Sequence, residues 1–187
     1  MKIYTRKGDD GTTGLLYGGR VAKDSEFPTA YGTVDEAQAV LGVARAQVER
    51  GSELDMLLVG LERDLWVLMA ELATDPSNRH KLAAGTSLVT DEMVTALEDR
   101  IDELSERFDP PTEFVVPGEN AVAAHLDLAR TVVRRAERDT IHAVDVSAAA
   151  GHPLTGSRCV AYLNRLSDLL WTMARWHEGE SLLTRPQ

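Results

Sequence analysis

The sequence lacks what several familiar protein classes require. Cys159 is its only cysteine, which excludes an internal disulfide and the stapled architecture of small secreted domains. No basic-then-apolar segment opens it, and no apolar run is long enough to cross a bilayer. A cytoplasmic protein without a membrane partner is therefore expected. Net positive charge is missing too: the formal charge is −10, which disfavours general binding to nucleic acid or anionic membrane, whose phosphates are drawn to positive fields. An anionic ligand must then find a local cationic site. His80, His125, His142, His152 and His177 show no metal-ligand spacing, and no Glu-x-x-His pair exists for a di-iron bundle. Neither a Walker A loop nor a dinucleotide-binding glycine fingerprint occurs.

What remains is helical pattern. With 187 residues and 43% hydrophobic composition, the chain can bury one sizeable core, so residues 1–187 are read as a single domain. Five helical segments are separated by short polar breaks, without internal repeats or low-complexity tracts. The first is expected from about Tyr31 to Arg50, stopping at Gly51. The second follows Ser52 with Leu54, Leu57, Leu58, Leu61, Leu65, Leu68, Met69 and Leu72 at helical spacing, up to Asp75-Pro76. The third runs from a Thr90 cap to Phe108, the fourth follows Pro117-Gly118, and the fifth follows Gly156. Strand signals are confined to short stretches such as Phe114-Val115-Val116. The predicted fold is all-α, a five-helix bundle over 31–180 with ferritin-like up-and-down packing.

The segment before it, "YTRKGDDGTTGLLYGGR" from Tyr4, is different in kind. Gly8, Gly11 and Gly14 recur at every third position, and glycine permits backbone approaches that a Cβ forbids, so the loop can aim several N–H groups at one anion. Arg6, Lys7, Arg20 and Lys23 add positive charge, and Thr12 and Thr13 add hydroxyl donors. Residues 1–24 therefore read as a Gly-rich phosphate-binding loop, or more simply as a flexible arm.

In the fourth helix, at ~100° per residue, Arg130, Arg134 and Glu137 form a narrow stripe beside an apolar face of Leu126, Ala129, Val133 and Ala136. Cations at the edge of a core act where water is partly excluded; the plainer reading is an ion-paired helix. Asn164 and Asp168 share a face of the fifth helix. Asn164 could read an adenine or a ribose, or make an interhelical hydrogen bond. Asp35 and Glu36 stand near the start of the first predicted helix, where carboxylates suit the positive end of the dipole.

Five stretches in order carry a family resemblance: "YTRKGDDGTTGL", "YGTVDE" at Tyr31 to Glu36, "FVVPG" at Phe114 to Gly118, "ARTVVRRAER" at Ala129 to Arg138, and "YLNRLSDLLW" at Tyr162 to Trp171. Together they resemble the ATP:cob(I)alamin adenosyltransferases of the propanediol-utilisation type over nearly the whole chain. Two departures stand out: Glu119 replaces the family's usual second glycine, and "DEAQAVLG" replaces a more typical Asp-Glu-Leu-Asn-Ser run.

The resemblance implies a homotrimer of helical bundles with ATP and the corrinoid, a substrate, bound between subunits. It implies that Thr5, Arg6, Lys7, Gly8, Thr13 and Gly14 wrap the triphosphate, with Lys23 also on the nucleotide. Arg134, Arg135, Glu137 and Arg138 become ATP ligands, and Asn164 contacts the nucleoside. Asp35 pairs with Arg130 across the interface, and Phe114 packs on the lower face of the corrinoid. The implied reaction transfers the 5′-deoxyadenosyl group of ATP to cob(I)alamin, a nucleophile strong enough to need no protein base. The protein supplies positioning, and arginines, lysine, backbone donors and Mg²⁺ stabilise the departing triphosphate. A cobalamin reductase and an adenosylcobalamin-dependent mutase are candidate partners. Two alternatives stand beside this: a non-enzymatic adenosylcobalamin carrier, and a helical interaction or nucleotide-sensing protein without a corrinoid site.

Overall fold

A computed structural model describes residues 3–185. Among these residues, a short hairpin of β1 (Thr12–Gly14) and β2 (Arg20–Ala22) precedes α1 (Glu26–Arg45), α2 (Glu53–Leu72), a 3₁₀ turn (Pro76–Lys81), α3 (Asp91–Ser105), α4 (Ala121–Ala149) and α5 (Cys159–Glu178).

Local chemistry sets three of the five α-helix N-termini. Ser52, Thr90 and Asn120 are N-caps whose side chains accept from the backbone N–H of Asp55, Met93 and Ala123, meeting donors that the first turn leaves unpaired. The leucine periodicity of α2 maps onto burial: Leu54, Leu58, Leu61, Leu65, Leu68 and Leu72 all lie inside. On α4 the expected apolar face is also the buried one, with Leu126, Ala129, Val133 and Ala136 inaccessible to solvent.

The first helix differs from its expected bounds, beginning at Glu26 rather than Tyr31 and ending at Arg45 rather than Arg50. Pro28, which looks like a breaker, sits at the third helical position, where its missing N–H removes no intrahelical bond. After Arg45 the chain tightens into i to i−3 bonds, Gln47 N–H to Ala44 and Val48 N–H to Arg45, before Gly51 reverses it with φ 81°. Asp35 and Glu36 consequently lie in mid-helix, which overturns their reading as capping carboxylates.

Side-chain pairs fix the helix directions. Residue numbers rise on α1 as they fall on α4, through Thr33 Oγ1 to Asp139 (2.7 Å) and Gln47 Nε2 to His125 Nδ1 (2.8 Å). The same antiparallel relation joins α1 to α2, through Gln38 to the Glu62 carbonyl and Arg45 to Asp55. It also joins α4 to α5, through Glu137 with Asn164 and Asp127 with Arg175. In contrast, α3 runs parallel to α5, as Asp91 with Arg158 and Glu98 with Arg165 show. The buried Tyr162 hydroxyl donates to Asp64 Oδ2 at 2.9 Å and ties α5 to α2. The helices thus alternate in direction along the chain, around a core of leucine, valine and alanine.

Two extensions attach to this core. The N-terminal segment contains paired strands, in register Thr12 with Ala22 and Gly14 with Arg20, where only a loop was expected. Tyr17, Gly18 and Gly19 turn it at φ 65°, 101° and 97°. Leu16 N–H donates to the Ala73 carbonyl at 2.8 Å, docking the hairpin on the end of α2. The Phe114-Val115-Val116 stretch forms a single antiparallel bridge, Val115 with Leu183, flanked by Val116 N–H to Leu182 and Thr184 N–H to Phe114.

Candidate functional site

The backbone pairing with residues 182–184 clamps the Phe114 segment while leaving the ring itself 86% exposed. Truncating a core residue would be costly, but Phe114 is not one. Its ring borders a cavity of about 510 Å³, whose other walls include Pro117, Asp127, Arg130, Trp171 and Arg175. That volume lies within the usual range of small-molecule sites. Arg130 is half-buried and faces Asp127, with Nε 3.4 Å from Oδ1.

One to two turns further along α4 the remaining cations appear, and at 1.5 Å rise per residue Arg138 lies about 12 Å beyond Arg130. Arg134 and Arg138 are exposed, and no carboxylate among the described residues pairs with either. The Arg138 guanidinium donates to the Arg134 carbonyl at 2.9 Å. Arg135 instead pairs with Glu36 on α1. Glu137 accepts from Asn164 Nδ2 at 3.2 Å, and Asn164 Oδ1 accepts from Arg165 at 2.7 Å. Asn164 is thus engaged across α4 and α5, the plainer of the two roles expected for it.

The hairpin is tied together by its own polar groups. Arg20 Nε donates to Thr12 Oγ1 at 3.0 Å, and its Nη2 donates to the Lys7 carbonyl. The Thr12 backbone N–H and hydroxyl both donate to Asp10, and these bonds, more than the nearby Arg20, hold the Asp10 carboxyl below its ordinary value. Gly8 keeps this turn close-packed, since a Cβ there would come to 3.0 Å from the Thr12 carbonyl and 3.1 Å from Lys23 Nζ, so that a larger residue would push these neighbours back by a few tenths of an ångström. Arg6 adopts φ 59°, uncommon for a residue with a Cβ. Arg6, Lys7 and Lys23 have no carboxylate partner among the described residues. Thr5 Oγ1 accepts from Lys7 N–H, while Thr13 and Gly14 belong to β1.

Within one chain these groups form two clusters rather than one. No hydrogen bond or ion pair among the described residues joins the hairpin to α4. Asp35 is exposed and lies level with Glu137, about two turns from Arg130, whose carboxylate neighbour is Asp127. Asp127, Trp171 and Arg175 were not singled out from the sequence. The available signals were the i, i+3 spacing of Asp127 and Arg130, and a cation, Arg175, beside the apolar stripe of α5.

Alternating helices, an aromatic-rimmed cavity, and two exposed arginines, Arg134 and Arg138, without a carboxylate partner among the described residues are the features of a helical ligand-binding protein. The chain belongs to the cobalamin adenosyltransferase family, whose model matches residues 3–177. It is 43% identical over 178 residues to a corrinoid adenosyltransferase of Citrobacter freundii, with 95% of each chain covered. A corrinoid adenosyltransferase of Mycobacterium leprae is 37% identical, covering 99% of this chain and 96% of that one. The corrinoid adenosyltransferase PduO of Salmonella typhimurium is 36% identical, but this chain spans only 51% of its length. Among solved structures, a variant PduO-type ATP:corrinoid adenosyltransferase from Lactobacillus reuteri, complexed with cobalamin and ATP, aligns with TM-score 0.84 at 25% identity. That alignment covers 99% of this chain and 100% of the other. Among the described residues, no helix is long and apolar enough to cross a membrane.

Proposed function

We propose that the protein is an ATP:corrinoid adenosyltransferase, moving the 5′-deoxyadenosyl group of ATP onto the cobalt of cob(I)alamin. The observation that carries this reading is an exposed aromatic ring, Phe114, held by its backbone beside a cavity with Arg130 on the wall, in a chain of this family. In the reaction an electron pair of Co(I) forms the bond to ribose C5′. The C5′–O bond breaks, and its electrons leave on inorganic triphosphate.

Arg6, Lys7, Lys23, Arg134 and Arg138 suit that leaving group, since no carboxylate among the described residues has neutralised them. Arg135, Glu137 and Asn164 already form polar contacts to neighbouring helices and would exchange part of them for the nucleotide. Thr5, Gly8, Thr13 and Gly14 would bring hydroxyls and close backbone donors to the phosphates, making 1–24 the phosphate-binding segment. Oriented donors at a developing charge are among the strongest sources of rate acceleration. Mg²⁺ would arrive on the triphosphate. There it would keep mostly phosphate and water ligands, as this cation commonly does in nucleotide sites.

The site is completed by a second copy of the chain, in a homotrimer. Within one subunit no hydrogen bond or ion pair among the described residues joins the hairpin to α4, the cavity of about 510 Å³ is too small for a whole corrinoid, and Asp35 is exposed and available to Arg130 of a neighbour. Phe114 would cover the lower corrinoid face, excluding the axial ligand and favouring a four-coordinate Co(II) state that a cobalamin reductase can reduce in the cytoplasm. An adenosylcobalamin-dependent mutase would use the product. The names of the relatives favour transfer over a carrier role. Anaerobic incubation with ATP, Mg²⁺ and chemically reduced cobalamin tests the proposal: an organocobalt spectrum is expected. Binding of both ligands without that product would indicate a carrier, and no cobalamin binding would remove the corrinoid site.

A further inference from the structure

The inner wall of the cavity carries a charge set that the proposed chemistry does not use. Arg175 on α5 is 1% exposed, and its guanidinium lies 5.7 Å from the centroid of the Trp171 ring. Its Nη2 donates to Asp127 Oδ2 at 2.7 Å and to Glu178 Oε2 at 2.9 Å. Nε lies 2.7 Å from Glu178 Oε1 as an ion pair without hydrogen-bond alignment, and Nη1 is buried with no partner among the described residues. Asp127 is buried too, and its second oxygen faces Arg130 Nε at 3.4 Å.

A buried arginine with unpartnered donors is a poor way to stabilise a core, since apolar residues of similar volume often serve as well or better. We infer that Arg175 is a positioning residue, acting through Asp127 to place the Arg130 guanidinium on the cavity wall. The short bond to Oδ2 holds the Asp127 carboxylate from inside the bundle. Only Oδ1 is left for Arg130, at a longer distance that restrains this cation without closing on it. Released from Arg175, the carboxylate would be free to turn both oxygens onto Arg130 and draw its charge out of the cavity. The inference rests on the reading that Arg130 serves the corrinoid reaction.

The test uses Arg175→Met, which removes the charge, and Arg175→Lys, which keeps it but cannot fork between two carboxylates. Both should alkylate cob(I)alamin with kcat lowered about 10–100-fold, as small misplacements of reacting groups do, and with KM for ATP within roughly twofold of wild type. On an Arg130→Ala background, Arg175→Met should cost less than about threefold further, because coupled residues do not add. Full additivity, or an ATP KM that rises with the loss of kcat, would overturn the inference. An independent readout is the Arg130 Nε–Hε NMR resonance, assigned by its disappearance in Arg130→Ala. It should shift in Arg175→Lys whether or not the protein turns over. An inactive wild type with a shifting resonance would sink the adenosyltransferase reading alone, whereas an unmoved resonance would sink the positioning role. If Arg175→Met does not fold, Arg175→Lys carries the same measurements.

Discussion

Replacing Phe114 with alanine separates the corrinoid from both the fold and the nucleotide. The ring is 86% exposed, so only about a seventh of its surface is hidden in the free protein. A buried aromatic hides about 200 Å², so that fraction amounts to about 30 Å², worth about 0.7 kcal/mol at ~25 cal/mol per Å². In a domain of this size the melting midpoint should fall by about 2 °C. Covering the remaining ~170 Å² with a corrinoid would contribute at most about 4 kcal/mol, part of which is lost to ordering and imperfect contact. A 10–100-fold loss of adenosylation efficiency, about 1.4–2.8 kcal/mol, is therefore expected. It should be largest when the assay starts from cob(II)alamin, where exclusion of the lower ligand matters most. Phe114 has no polar group with which to hold ATP, so nucleotide titration should match wild type. Normal turnover from cob(II)alamin, with an intact melt and normal ATP binding, would refute the assignment. A midpoint lowered by more than about 10 °C would mean that the ring supports folding despite its exposure.

Arg134→Ala should raise the KM for ATP and slow turnover, because charge-assisted phosphate contacts are worth ~1.5–3 kcal/mol. Its melt should stay put, as the side chain is exposed and pairs with no carboxylate among the described residues; wild-type rates at limiting ATP would show that the stripe only solvates α4. Light scattering should give a trimer, and Asp35→Ala should lower cobalamin turnover more than ATP binding; a monomer in solution would remove the intersubunit site. Asp64 offers a pH test, since burial raises its carboxyl above the ordinary value although the Tyr162 hydroxyl opposes this. A raised folded-state value favours the protonated form, so Asp64 adds most stability in acid and loses it as the pH rises. Asp64→Asn keeps an acceptor for Tyr162 and should melt at or slightly above the wild-type temperature at pH 7. The difference should close as the pH falls through the range where carboxylates take up protons; a large fall at pH 7 would show that the charged form is needed.

Helix existence was legible in the sequence because it depends on spacing within one segment. Leu54, Leu58, Leu61, Leu65, Leu68 and Leu72 of α2 and the Leu126, Ala129, Val133, Ala136 face of α4 are buried where their periodicity placed them, with Leu57 and Met69 half-buried at the edge, and the expected Thr90 cap forms. The stripe carrying Arg130 and Arg134 followed from the same arithmetic. Local pattern was less informative at α1, which was expected from about Tyr31 to Arg50 and spans Glu26 to Arg45, and in the N-terminal segment, whose β pairing joins residues that spacing alone does not bring together.

Whether an arginine is free or paired is decided by a neighbouring helix. Arg135 meets Glu36, Arg134 meets no carboxylate among the described residues, and Arg175 is sealed in with Asp127 and Glu178. Phe114 reads as a core residue from its type, yet strand pairing with residues 182–184 holds its backbone and leaves the ring in the open. Periodicity says which face of a helix turns inward, because that face has to leave water whatever covers it. Which polar group meets which is a matter of distances between segments far apart in the chain, and those exist only once the helices have packed.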